Sequence, residues 1–197
     1  MLRLPSAVTS RSTNHVSEAE LYTGSAARLA GVFYDGLDEL GEFVPVSPDE
    51  LPDDYRTLLA HTNHMTVTLE AFHGDVVDVR ALAEWHDEAS YARNSVLVRR
   101  RDGKLLQFGI MRLWLRDLPA AAREEITAKK MPLGHVLIKH GVLRQVELIT
   151  LWRIEPGPAL RNHLQLADGA PVYGRSAQIL VDERPNVQLL EIVRLPH

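Results

Sequence analysis

Val172-Tyr173-Gly174-Arg175-Ser176-Ala177-Gln178-Ile179-Leu180-Val181, followed after a short break by Val187-Gln188-Leu189-Leu190-Glu191-Ile192-Val193-Arg194-Leu195, is the stretch whose reading decides the fold. Both runs are rich in β-branched and aliphatic residues, and Glu183-Arg184-Pro185 interrupts them, so together they predict a terminal β-hairpin. Side chains alternate between the faces of a strand, which puts Glu191 with Val187, Leu189, Val193 and Leu195, and Arg175 with Tyr173, Ala177, Ile179 and Val181. Those faces are apolar enough to belong to a core, where a lone charge is costly. Two readings stay open for each residue. Glu191 is either an inward site carboxylate or a residue at a bulge or edge that reaches water. Arg175 is either a second inward cation or an arginine that lays its stem on the sheet and sends its head to solvent.

Outward from the hairpin, Val76 to His86, Tyr91 to Arg100, Lys104 to Arg116 and Val142 to Ile154 are strand-like, and Asp102-Gly103 is a hairpin signal between the second and third. Helical patterns occupy Asp53 to Phe72, an Ala-rich run from Pro119 to about Lys130, and a segment opened by Pro132-Leu133-Gly134 and ended by Gly141. Pro158 to Leu166 fits a short further helix. This order predicts an α+β domain over residues 51–197: one mainly antiparallel sheet of about six strands with helices packed on one face. Residues 1–50 read as an N-terminal extension, loose up to about Val16, helical in parts from Ser17 to Tyr34 and interrupted by prolines at 45 and 48.

The 197 residues are 45% apolar and 24% charged, the balance of a folded domain. A net charge of -4 provides no field to recruit nucleic acid or an anionic membrane, so neither is expected as a partner. With no cysteine, disulfides, thiolate metal sites and cysteine nucleophiles are excluded. No signal peptide or membrane-spanning run is visible, and the expected location is the cytoplasm.

Several side chains stand out. Arg93 shares its strand face with Tyr91, Ser95 and Leu97; it either grips an anion through its planar fork or forms a surface ion pair. Pro132-Leu133-Gly134 opens a helix whose free N–H groups are able to bind an anion. His61 and His64, with His73 and His86 nearby, lack a defined third ligand, and no metal is expected. Arg99-Arg100-Arg101 reads as a solvated hairpin tip. No phosphate loop, nucleophile elbow or dinucleotide fingerprint is present.

In their order and spacing, His64-Met65-Thr66, Tyr91-Ala92-Arg93, Pro132-Leu133-Gly134 and the strand from Pro185 to Glu191 resemble the chorismate pyruvate-lyase family, the cofactor-free 4-hydroxybenzoate synthases. The resemblance runs from about Pro52 to Pro196, is closest in the final hairpin, and favours the actinobacterial-type members through the long connection from Ile154 to Pro171. It implies a chorismate lyase-like fold, which also occurs as the effector-binding domain of certain bacterial transcription regulators. It further implies that Arg93 binds a ring carboxylate, that Glu191 contacts the ring hydroxyl, and that the backbone amides of Met65 and Leu133 touch the ligand. The implied reaction eliminates pyruvate from chorismate without cofactor or metal, with Arg93 and Glu191 as the catalytic pair and a helical flap excluding water. Where better-known members have an arginine after the glycine of the second hairpin strand, this chain has Gly109-Ile110, so either the second anionic subsite differs or Arg175 or Arg112 replaces that arginine, and strand direction favours Arg175. The alternatives are a non-catalytic module binding a small aromatic acid and a lyase acting on a related chorismate-derived acid. Residues 1–50 show no helix-turn-helix pattern. A monomer or small homo-oligomer is expected.

Overall fold

The computed structural model describes residues 18–142, 144–167 and 169–195; the expectation of a loose segment up to about residue 16 lies outside them. Seven strands form one sheet: β1 (Gly41–Val46), β2 (Val77–His86), β3 (Ser90–Arg99), β4 (Leu105–Trp114), β5 (Arg144–Pro156), β6 (Val172–Val181) and β7 (Arg184–Val193). Their spatial order is β1-β5-β6-β7-β4-β3-β2, and every neighbouring pair is antiparallel. The α+β class and the antiparallel sheet agree with the sequence reading.

The count of six strands needs correction. β1 was hidden because Pro45 and Pro48 read as breaks, yet β1 is an edge strand, where a missing backbone N–H costs no ladder bond. Its start alternates buried and exposed residues, Phe43 facing in and Val44 out.

Helices cover both faces rather than one, a second correction. On the front face lie α2 (Asp53–Leu59), α3 (Met65–His73), α4 (Ala120–Ala128) and α5 (Leu133–Lys139), packed on front-facing side chains such as Leu97, Leu113, Ile179 and Val193. On the rear, α1 (Glu18–Ala30) and α6 (Pro158–Leu164) bury Ala26, Leu29, Leu160 and Leu164 against Val96, Phe108, Ile110 and Ile192. The reason is composition: β3 is buried along nearly its whole length, and a strand apolar on both faces needs a layer on each. Residues 18–46 thereby contribute α1 to the rear layer and β1 to the sheet edge.

The hairpin tip carrying Arg99, Arg100 and Arg101 is neutralised by carboxylates, Arg99 with Asp102 at 2.5 Å, Arg100 with Asp78 at 2.6 Å and Arg101 with Asp75 at 3.8 Å. The β6–β7 turn is tighter than expected. It consists of Asp182 and Glu183, at φ 48° and 65°, and β7 already begins at Arg184.

Candidate functional site

Alternation along four adjacent strands aligns side chains into rows on the front face. Ser95 of β3, Gly109 of β4, Glu191 of β7 and Arg175 of β6 form one such row. Arg93, Met111 and Leu189 form the next row in one direction, and Leu97, Gln107 and Val193 the next in the other. Gly109 has no side chain, so the sheet is hollow at that point. α3 and α5 roof the hollow with Met65, Thr66, Leu133 and Gly134, enclosing a cavity of about 600 Å³, mouth included. The two helix starts touch: a Cβ on Gly134 would stand 3.3 Å from both the His64 Cβ and the Thr66 Oγ1.

Met65, Arg93, Leu133, Arg175 and Glu191, the five residues singled out in the sequence, all line this one cavity. Met65 and Leu133 are the first residues of α3 and α5, and neither helix has a side-chain N-cap bond, so their opening N–H groups are not claimed by a cap.

Arg93 is 2% exposed. Its Nη1 donates to the Ile126 carbonyl at 3.4 Å, a long contact, and its Nε is buried without a hydrogen-bond partner. Among the described residues no carboxylate forms an ion pair with it. Burial pushes the guanidinium below its ordinary value, an effect partly offset by Tyr91 and Glu84. Glu84 itself is committed elsewhere, accepting from Tyr91 Oη at 3.0 Å and from Lys129 Nζ at 2.5 Å. Burial, above all, raises the Tyr91 phenol to about 12.

Arg175 is fully buried, and its charge is spent inside the protein. Nε donates to Glu191 Oε2 at 2.7 Å, Nη1 to the His61 carbonyl at 2.9 Å and His61 Nδ1 at 3.2 Å, and Nη2 to the Asn63 carbonyl at 3.1 Å. His61 Nε2 lies 2.7 Å from the Leu58 carbonyl, which only accepts, so the imidazole carries its proton on Nε2 and presents a bare Nδ1 to Arg175 and to the Asn63 N–H. Both inward readings of the sequence hold, but Arg175 is no free ligand cation. It neutralises Glu191 and ties the α2–α3 turn to the sheet.

Other expected pieces take no such place. Arg112 points away from it, with its guanidinium over the rings of Trp85 and Trp114 and bonded to Ser90 Oγ at 3.2 Å. Ile110 lines the cavity floor, while its side chain packs in the rear core and carries no charge. His61 follows α2 and His64 caps α3, so they do not share a helix face; among the described residues no three potential metal ligands gather. Thr66, Ser95, Gln107 and Gly109 are lining residues that the sequence reading missed. The signal available was the front-face alternation of β4, where Gln107 and Gly109 flank each other.

No family model and no curated protein matches this chain. Solved structures do. The effector domain of PhnF from Mycobacterium smegmatis is 14% identical, with a TM-score of 0.50 over 67% of this chain and 88% of that one. The whole of that PhnF gives a TM-score of 0.48 at 12% identity over 87% and 93% of the two chains. The ligand-binding domain of a protein described as a GntR-family regulator from Bordetella bronchiseptica gives 0.46 at 15% identity over 61% and 87%. The fold is chorismate lyase-like, as the sequence implied.

The expected enzyme is corrected by these findings. The solved structure that reaches a TM-score of 0.50 is described as an effector domain and not as a lyase. The cavity supplies a physical reason. Chorismate carries two carboxylates, whereas two arginines and one carboxylate leave the lining a single net positive charge. The cation and the carboxylate expected to work on the substrate, Arg175 and Glu191, are bonded to each other.

Proposed function

We propose that this chain is a non-catalytic binding module for a small organic monoanion, of the kind that serves as the ligand-sensing domain of a cytoplasmic regulator. The observation that carries this reading is Arg93, a buried guanidinium lining the cavity with an unpartnered Nε and, among the described residues, no carboxylate in an ion pair with it. A buried charge of this kind favours a counter-ion, and a carboxylate or phosphate meets its fork geometry. The opening N–H groups of α3 and α5 add positive partial charge at the roof. The apolar walls, among them Val79, Leu97, Met111 and Ile179, suit a ligand with an apolar body. The effector domain of PhnF, whose fold this chain shares, lends support by its described role.

Calorimetric titration with benzoate and with inorganic phosphate tests the reading. Wild-type protein should bind at least one of these anions, and Arg93→Gln should lose that binding. Chorismate at high protein concentration should release no pyruvate. Binding that is indifferent to Arg93 would sink the proposal.

A further inference from the structure

On the rear side of the sheet a second depression, about 820 Å³ with its open mouth included, lies beside the turn between β3 and β4, and its charged lining is Arg80, Lys104, Arg194 and Asp102. Separate segments deliver the cations. Arg80 of β2 stands opposite Val96, a residue of the rear core, and so points rearward. Its Nη2 reaches the turn, 3.3 Å from where a Cβ on Gly103 would stand. Lys104 is the next residue of that turn. Arg194 lies two residues beyond Ile192, also of the rear core, and its N–H donates to the Leu106 carbonyl at 2.8 Å.

The carboxylates at this end are already engaged. Asp102 accepts from Arg99 Nε at 3.0 Å and Nη2 at 2.5 Å, Asp78 accepts from Arg100 Nη2 at 2.6 Å, and Asp75 lies 3.8 Å from Arg101. Each answers one member of Arg99-Arg100-Arg101, and among the described residues no carboxylate forms an ion pair with Arg80, Lys104 or Arg194. Three cations left over around one concavity repel one another and concentrate positive potential there, even though the whole chain carries a net charge of -4. The front cavity, by contrast, has apolar walls and a single net positive charge. In the sheet β2 and β7 are separated by β3 and β4, so the backbones at Arg80 and Arg194 start about 14 Å apart, three strand spacings. Cations converging from that distance meet an extended anion at several points, whereas a single phosphate reaches one or two of them.

We infer that this depression is a second anion site, for a small ligand carrying a chain of phosphate groups, and that it binds independently of the front cavity. Arg80 and Arg194 grip the outer phosphates through their planar forks, and Lys104 supplies a point charge between them. Gln165, at the end of α6, offers its amide to the same ligand. The phosphates provide the negative charge that Asp75, Asp78 and Asp102 give to the hairpin tip instead.

The test is calorimetric titration of the full chain with tripolyphosphate, ATP and inorganic phosphate at low and high salt, on wild type and on Arg93→Gln, which takes the front cavity out of the measurement. Both proteins should bind tripolyphosphate at low salt, more tightly than inorganic phosphate, and both should weaken at high salt. Arg80 and Lys104 are exposed and Arg194 is half-buried, so Arg80→Gln, Lys104→Gln and Arg194→Gln should each weaken binding by about two- to fivefold, the worth of one solvent-screened charge pair. The triple variant should lose binding, and Arg116→Gln, which removes an exposed cation elsewhere, should not. Thermal melts establish that each variant is folded. ATP bound at least as tightly as tripolyphosphate supports the inference with a nucleotide as the source of the phosphate chain, and ATP bound more weakly supports it with a free polyphosphate. Binding of ATP without tripolyphosphate overturns it. So do unchanged tripolyphosphate binding in the folded triple variant, an equal loss in Arg116→Gln, a complete loss in Arg93→Gln, or no binding by wild type at low salt. The benzoate titration reports on the front cavity alone, so either site is able to fail without the other.

Discussion

Arg175 and Glu191 stand opposite one another on β6 and β7, with the arginine Nε donating to Glu191 Oε2 at 2.7 Å inside the protein. This one contact decides the electrostatics of the cavity. It neutralises a cation and a carboxylate that both line the cavity and leaves Arg93 as the group that answers an anion. The same arginine holds the carbonyls of His61 and Asn63, so the sheet and the turn leading into α3 are joined through it.

Breaking the pair should therefore cost stability before it alters recognition. Glu191→Gln leaves a fully buried guanidinium without its counter-ion, and a loss of about 3–5 kcal/mol is expected. Adding Arg175→Met to that variant should recover part of the loss. Urea unfolding of the single and double variants measures both effects; an unchanged midpoint in Glu191→Gln would mean that the pair contributes nothing.

Arg93 should behave in the opposite way. Because no carboxylate among the described residues forms an ion pair with it, Arg93→Gln is expected to keep or raise unfolding stability, by up to about 1 kcal/mol, while it abolishes protection by benzoate. Denaturant melts with and without benzoate separate the two, and a sharply destabilised variant would instead make Arg93 a structural residue.

Acid sensitivity should trace in part to His61. Burial first, and the Arg175 charge second, hold its imidazole below the usual value of 6.5, and its Nδ1 must stay bare to accept from Arg175. A depressed folded value means that the unfolded chain binds the proton more readily. The stabilisation is complete above about pH 6.5 and is lost as the pH falls through the lower, folded value. His73 and His163 are also lowered by burial and act in the same direction, so His61→Asn should flatten only part of the decline between pH 7.5 and pH 5. Unfolding midpoints across that range show whether the slope diminishes.

Asn186 should control the register of the final hairpin. It occupies the position skipped between the pairs Leu180–Pro185 and Ile179–Val187, is buried, and donates from Nδ2 to the Trp114 carbonyl at 3.0 Å. Asn186→Ala is expected to cost about 1–3 kcal/mol by leaving that carbonyl without its partner. Amide exchange along β6 and β7 should accelerate with it; unchanged exchange would separate the bulge from the side chain.

The inward placement of Arg93, Arg175 and Glu191 was legible, and so were the six strands from β2 onward and the proline-opened helices. β1 was not, because Pro45 is a breaker in any strand except an edge, and edge position depends on which strands lie alongside. The order of motifs suggested a lyase, since spacing along the chain records which side chains face inward but not which are already bonded to one another. Gln107 escaped notice for a similar reason: an inward glutamine on a strand is ordinary until its carbonyl proves to have no partner.

Alternation is a property of each strand alone, so the sequence by itself determined which side chains of β3, β4, β6 and β7 point to the front. The tertiary structure decided which of them meet. A two-residue turn at Asp182 and Glu183 continued without irregularity would set Arg175 opposite Leu190; the extra residue at Asn186 moves it one place, to Glu191. Facing is local and follows a period of two, whereas pairing is fixed by a bulge anchored to a carbonyl seventy-two positions away in the chain.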